Sequence, residues 1–226
     1  MTELVICCPE YRANLSFQEE LNLRISECNN SEIEKYFILP DYISIEYYNS
    51  NFPNWKIIQI DGIHFQSIVS YNKLMLSNLI YKLFSKFEYI LICQSDAVLV
   101  KNVSKLPLIY DYIGAPWKNK IRYKGINLSV GNGGLSLRKS YIFYNITTYL
   151  WFLKYLSANE DVIFALLGKL KFIKTPTFEM ANVVFKESTS SELPMIDDSF
   201  GFHALEKWNS NLQNQINKKF INSFNF

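Results

Sequence analysis

Tyr89-Ile90-Leu91-Ile92-Cys93-Gln94-Ser95-Asp96 is the stretch on which the fold turns. Five successive uncharged, largely apolar residues suit a strand buried on both faces, as in a parallel sheet. A strand with one wet face would alternate. The run then stops abruptly at two polar residues and a carboxylate. Toward the N-terminus, Leu4 to Cys8 is a similar apolar run, ended by Pro9. Tyr36 to Leu39, stopped by Pro40, and Trp55 to Ile60, ended by Asp61-Gly62, read as two further strands. Helices fall between them. Ser16-Phe17-Gln18-Glu19 has the capping-box form and opens a helix to about Cys28. Ile68, Tyr71, Met75 and Leu79 recur at helical spacing and predict one helix over Ser67 to Phe84. Strands alternating with helices through the first hundred residues predict an open α/β sheet.

Beyond Asp96, Val98 to Val100 reads as a short strand, and Asp111 to Ala115 as another that runs into Pro116-Trp117. A glycine-rich loop spans Gly131 to Gly134. A helix is expected over Lys139 to Leu156, and a second begins near Asn159-Glu160-Asp161. After Thr175 the pattern is irregular, with short strands expected around Phe178 to Phe185. The last twenty residues read as a polar helix or tail. With no linker, repeat or low-complexity segment, a single domain is the simplest account.

Composition narrows the chemistry. The 226 residues are 49% hydrophobic and 19% charged, enough apolar content for a sizeable core and too much for global disorder. The net charge of +2 leaves no basic footprint for nucleic acid. There are two histidines and four cysteines, with no C-x-x-C and no H-x-x-x-H. A closed Cys/His zinc site is therefore not expected, and any metal must be held mainly by oxygen. The N-terminus lacks the basic and small-residue features of a signal peptide, and no run of about 18 apolar residues occurs. These features set the expectation of a cytoplasmic protein with reduced thiols and with Asn-x-Ser/Thr sequons arising by chance.

Several groups can carry chemistry, each with a plain alternative. In an open α/β sheet ligands bind outside the carboxyl ends of the strands, where Pro9-Glu10-Tyr11 and Gln94-Ser95-Asp96 fall. A carboxylate after a buried strand needs water, a cation or donors, so Asp96 is a candidate metal ligand or the start of an Asx turn. Gly131-Asn132-Gly133-Gly134 permits close backbone approach to a ligand, or forms an ordinary turn. It is neither a P-loop nor a dinucleotide fingerprint. Glu160-Asp161 is a general-base candidate or a helix-start acidic pair. His203, between aromatic residues in Phe200-Gly201-Phe202-His203, is an imidazole ligand or a half-buried histidine. His64 has no companion feature and reads as structural.

Taken in order, Tyr71-Asn72-Lys73, the Gln94-Ser95-Asp96 strand end, Asp111-Tyr112-Ile113-Gly114-Ala115-Pro116-Trp117, Val130-Gly131-Asn132-Gly133-Gly134-Leu135-Ser136-Leu137-Arg138, Glu160-Asp161-Val162 and Phe200-Gly201-Phe202-His203 resemble a bacterial glycosyltransferase-like family long known only as a domain of unknown function. The resemblance spans about residues 70 to 203. It implies the GT-A class of nucleotide-sugar transferases, a Rossmann-like open mixed sheet flanked by helices, with the motif order of fringe-type enzymes. It implies a nucleotide-binding half over about 1–100, an acceptor and catalytic half over about 101–205, and a C-terminal helix or tail over 206–226. Gln94-Ser95-Asp96 would stand at the Asp-x-Asp metal motif, with Gln94 in place of the first acid. Asp96 and His203 would hold Mn²⁺ or Mg²⁺. Asp161, paired with Glu160, would be the base of a single inverting displacement. Pro9, Glu10, Tyr11, Lys73, Gln94 and Ser95 would contact the donor, such as a UDP-sugar. Trp117, Asn132, Gly133, Gly134 and Arg138 would form the loop between donor and acceptor.

The function so implied is sugar transfer to a hydroxyl of a glycan or glycolipid in bacterial surface polysaccharide assembly. The tail residues Lys207, Trp208, Lys218, Lys219, Phe220, Phe224 and Phe226 would either make peripheral inner-membrane contact or belong to an ordinary terminal helix. A nucleotidyltransferase that makes the sugar nucleotide is a rival reading. It wants a glycine-rich basic loop after the first strand, and Cys8-Pro9-Glu10-Tyr11-Arg12 has no glycine. A non-catalytic glycan-binding protein on the same fold is the other rival, kept open by the missing first acid at Gln94.

Overall fold

The computed structural model describes residues 2–187 and 195–221. Its strands are β1 (Thr2–Pro9), β2 (Glu34–Pro40), β3 (Lys56–Ile60), β4 (Phe87–Cys93), β5 (Ala97–Leu99), β6 (Tyr112–Gly114), β7 (Pro116–Tyr123), β8 (Ile126–Val130), β9 (Leu135–Lys139), β10 (Phe185–Lys186) and β11 (Gly201–His203). Its α-helices are α1 (Phe17–Asn29), α2 (Glu46–Asn51), α3 (Ile68–Met75), α4 (Leu79–Leu83), α5 (Ser140–Tyr149), α6 (Glu160–Lys169), α7 (Phe178–Val184), α8 (Leu205–Trp208) and α9 (Ser210–Ile221).

A six-stranded sheet runs in the order β3-β2-β1-β4-β9-β6. The first four strands are parallel, and β9 runs antiparallel to both β4 and β6. This is the mixed, open α/β architecture expected from the strand–helix rhythm. Pleating explains why β1 and β4 show no polar alternation. Leu4, Ile6, Cys8, Tyr89, Leu91 and Cys93 enter one core, while Val5, Cys7, Ile90 and Ile92 enter the core on the opposite face. The chain order reverses between β1 and β4, so their carboxyl ends flank a topological switch point. All four cysteines are free, with Cys7, Cys8 and Cys93 buried and Cys28 exposed.

Local structure corrects three readings and adds one element. The helix expected over Ser67 to Phe84 is two helices, α3 and α4, because the Ser77 hydroxyl bonds the Leu74 carbonyl at 2.7 Å and interrupts the ladder. The helix expected over Lys139 to Leu156 ends at Tyr149 and is followed by a 3₁₀ turn, Trp151–Tyr155. There Thr147 Oγ1 bonds back to the carbonyls of Phe143 and Tyr144. Residues 178–184, expected as strand, form α7, whose first turn is capped by Thr177 Oγ1 accepting from the Met180 N–H at 3.3 Å. The β7–β8 hairpin has no counterpart in the sequence reading; it turns at Lys124 and Gly125, both at positive φ.

A second sheet, β10-β11-β5, stands beside the main one. Its antiparallel β5–β11 ladder pairs Ala97 with His203. The C-terminal α9 buries Leu212 and Ile216 against Leu21 and Ile25 of α1 in a third core, on which Trp208 and Phe220 also pack. Two of the aromatic residues assigned to a membrane-facing tail are thus turned toward the protein. Phe224 and Phe226 lie outside the described residues. Among the described residues no helix is long and apolar enough to cross a membrane.

Candidate active site

A cleft of about 670 Å³ opens at the carboxyl ends of β1 and β4. Pro9, Glu10, Tyr11, Gln94, Ser95 and Asp96 all line it, so the two strand ends singled out in the sequence meet. Arg12, which has no role in the sequence reading, and Glu19, read there only as part of a helix cap, also line it. Arg12 Nη2 donates to Glu10 Oε2 at 2.6 Å and to Ser95 Oγ at 2.8 Å, while Nη1 donates to Glu19 Oε1 at 2.6 Å. Glu10 is almost fully buried and also accepts from the Tyr11 N–H and the Ser95 hydroxyl, each at 2.8 Å. This bonded lattice fixes the loop after β1 to the loop after β4. Tyr11 stays 58% exposed, leaving one ring face for a planar ligand. Lys73 is exposed on α3 and is not among the residues lining the cleft; Tyr71 is, and its hydroxyl accepts from Gln94 Nε2 at 3.2 Å.

The β5–β11 ladder carries His203 to Asp96. His203 Nε2 lies 3.2 Å from Asp96 Oδ1, and the Ala204 N–H donates to the Asp96 carbonyl at 2.9 Å. The pair is close but misaligned for a hydrogen bond, so His203 Nε2 is a buried nitrogen with no hydrogen-bond partner among the described residues. Lys207 Nζ stands 3.3 Å from Asp96 Oδ2. Burial pushes the Asp96 carboxyl up, but His203 and Lys207 outweigh it and hold it down at about 2. Burial pushes the His203 imidazole down, but the carboxylates of Asp96 and Glu187 raise it to about 9.

His203 Nδ1 has competing partners. Asn132 Oδ1 accepts from the Gly134 and Leu135 N–H groups, which turns the Asn132 amide nitrogen toward Nδ1 at 3.1 Å. Glu187 Oε1 lies 3.5 Å from the same atom. In the neutral ring, accepting from Asn132 leaves the proton on Nε2, whereas donating to Glu187 frees Nε2 for a metal.

The glycine-rich loop joins this pair to the acidic pair. Asn132 sits at φ 104, the left-handed side of backbone space. A methyl group on Gly134 would collide with His203 Nε2 and Gln94 Oε1; one on Gly133 would collide with Glu160 Oε1. Adjacent glycines therefore touch the two candidate centres. Trp117 lies against Gly131 in the same way, as a packing partner of the loop. Arg138 is wholly buried. It donates to Tyr81 at 3.0 Å and to the Gly133 carbonyl at 3.2 Å, and reaches Glu160 Oε1 at 3.4 Å. It serves the site by holding the loop and Glu160, with no exposure to a ligand. Burial raises the Glu160 carboxyl. Burial and the neighbouring Glu160 charge raise Asp161 to about 7, a value suited to a base working near neutrality.

Asp96 and His203 are the two side chains able to hold a divalent ion here; among the described residues no group of three or more His, Cys, Asp or Glu is arranged for one. The donor set fits a metal whose remaining ligands come from elsewhere. Glu10, Glu19, Asp96 and Glu206 line the cleft against Arg12 and Lys207 alone, and Arg12 is already spent on two of them. An anionic ligand in so acidic a cleft would need a further cation.

The mixed sheet, its switch-point cleft and the carboxylate at the end of β4 define a GT-A fold, the fold of known glycosyltransferases. Residues 54–203 match the family described as "Protein of unknown function (DUF5672)", and the chain belongs to that family. Among solved structures it is similar to an active-site mutant of LgtC, with 12% identity, TM-score 0.57, and coverage of 100% of this chain and 97% of that one. LgtC is also solved as a galactosyltransferase in complex with donor and acceptor sugar analogs. The glycosyltransferase GlyE of Streptococcus pneumoniae is similar at 14% identity and TM-score 0.57, over 99% of this chain and 64% of that one. Mouse xyloside xylosyltransferase 1 is similar at 9% identity and TM-score 0.55, over 95% and 93%. No curated protein matches the chain.

Proposed function

We propose that this protein is a glycosyltransferase that moves a sugar from a nucleotide-sugar, such as a UDP-sugar, to a hydroxyl of a glycan or glycolipid. The observation that carries the reading is the contact of Gly133 and Gly134 with the two acidic centres. Gly134 lies against His203, the neighbour of Asp96, and Gly133 lies against Glu160, which precedes Asp161 in α6. In our reading the first pair binds a cation and the second holds the base, the two groups that displacement at a sugar carbon bonded to a diphosphate requires.

In this reading the nucleoside enters against Pro9 and Tyr11, and the diphosphate lies over Gln94, Asp96 and Lys207. Asp96 and His203 hold Mn²⁺ or Mg²⁺, which when bound offsets the charge of the departing diphosphate. Lys207, 74% exposed in its side chain and turned to Asp96, adds a second positive charge there. Asp161 takes the proton of the acceptor hydroxyl, and one displacement inverts the anomeric carbon. LgtC, with its donor and acceptor sugar analogs, supports the choice of substrate class. Surface polysaccharide assembly at the cytoplasmic side of the bacterial inner membrane is the setting we assign.

A screen of nucleotide-sugars for Mn²⁺-dependent release of the nucleotide tests the reading. Release that requires metal and is lost in Asp96→Ala is expected. A protein that binds no nucleotide, with or without metal, would overturn it in favour of a non-catalytic glycan-binding role. Analysis of the product's anomeric configuration tests the displacement: inversion is expected, and retention excludes Asp161 as the base of a single step.

A further inference from the structure

Helix α3 walls the donor cleft through Ser67, its N-cap, and through Ile68 and Tyr71. Its next residue, Asn72, faces elsewhere and is nearly buried. Asn72 Oδ1 accepts the Glu160 N–H at 3.3 Å, and Asn72 Nδ2 donates to Asn159 Oδ1 at 3.0 Å. Asn159 is the N-cap of α6, yet its own side chain caps none of that helix's N–H groups. The first N–H groups of a helix lack internal partners. Here one of them is claimed by a side chain from another helix. The same helix touches the site twice more. Tyr71 accepts from Gln94, and Met75 Sδ accepts from Arg138 Nη1 at 3.5 Å.

We propose that Asn72 is a positioning residue that registers the first turn of α6, and with it the Asp161 carboxylate, against the wall of the donor cleft. It contacts neither proposed substrate. It acts by making α3 and the start of α6 one rigid unit, so that a donor seated against α3 is already in register with the base. A side-chain cap serving α6 alone would stabilise the helix without linking it to the cleft. The inference rests on the proposed function for the meaning of Asp161 but not for its main test.

That test is amide hydrogen exchange at Glu160 and Asp161, read with and without UDP and Mn²⁺. In the wild-type protein UDP with Mn²⁺ is expected to slow exchange at both amides on the order of tenfold. In Asn72→Ala, and in Asn159→Ala at an exposed position that leaves the core untouched, the slowing should fall below about twofold while UDP still binds. The double variant should lose no more than Asn72→Ala alone, because the bond that Asn159→Ala breaks is one of the two already lost with Asn72. With UDP-glucose or UDP-galactose as donor, Asn72→Ala should lower kcat on the order of 10²-fold with donor KM little changed. UDP binding with no effect on the two amides in the wild type overturns the positioning role and leaves the proposed function standing. Equal slowing in wild type and Asn72→Ala does the same. Failure of UDP and of every other nucleoside diphosphate to bind overturns the proposed function, and this inference with it; if another diphosphate binds, it replaces UDP in the exchange test.

Discussion

His203 Nε2 sits 3.2 Å from Asp96 Oδ1 because Ala97 and His203 are partners in an antiparallel ladder. The backbone pairing of two short strands thus brings an imidazole from near the end of the chain to a carboxylate at its middle. That pairing has a stability signature. Asp96 is lowered from 3.8 to about 2, so its contribution is present above 3.8 and is lost as pH falls toward 2. His203 is raised from 6.5 to about 9, so its contribution is present below 6.5 and is lost as pH rises through 9. In chelator-treated protein the gap in thermal stability between wild type and Asp96→Asn should be widest from pH 3.8 to 6.5, on the order of 2 kcal/mol for this one interaction. It should close in acid and shrink in alkali, where Lys207 alone remains beside Asp96. A gap that is flat with pH would contradict this.

Asp161 should set the acid limb of the rate profile. Its carboxyl is raised to about 7 by burial and then by the Glu160 charge, and a base acts only when deprotonated. Transfer should therefore rise with pH through about 7. Asp161→Asn should lower kcat by about 10² to 10⁴-fold with nucleotide binding retained. Glu160→Gln removes the repelling neighbour, so the limb should move to lower pH. Rate profiles of the two variants check both statements.

Gly133 and Gly134 have no room for a methyl group, since the nearest atoms belong to Glu160, His203 and Gln94. Gly134→Ala should displace His203 and weaken Mn²⁺-dependent nucleotide binding. Gly133→Ala should disturb Glu160 and reduce turnover more than binding. Each should also cost about 1–3 kcal/mol in denaturant unfolding. If either alanine variant is fully active and equally stable, the loop is not packed as described.

Arg138 and Glu160 form a buried pair, 3.4 Å apart, in which the arginine has no exposure. Arg138→Met should destabilise the fold by about 3–5 kcal/mol, because it strands the Glu160 charge and the Gly133 carbonyl. Combining it with Glu160→Gln should recover part of that loss. Urea denaturation of the three variants provides the measure.

Much of the framework was legible along the chain because it is local. Uninterrupted apolar runs marked β1 and β4, and the Ser16–Glu19 capping box, present in the structure, marked the start of α1. The pieces that escaped notice depend on partners remote in sequence or on side chains that compete with the backbone. Ser77 and Thr147 interrupt helices whose apolar spacing continues past them. Arg12 carries no motif of its own; its role exists only because Glu10, Glu19 and Ser95 surround it. Arg138 looked like a loop cation open to ligand, yet β9 lies inside the main sheet and buries it.

The sequence by itself determined the α/β class, the strand ends where a ligand would sit, and the residue types available there, since hydrophobic period and turn chemistry are written in neighbouring residues. Only the tertiary structure decided which of those residues meet. It set His203 against Asp96 through a ladder between distant strands, Glu160 against Gly133 because that glycine has no side chain, and Asn72 under the first turn of α6. Such contacts depend on how separate elements pack, and no spacing within one segment encodes them.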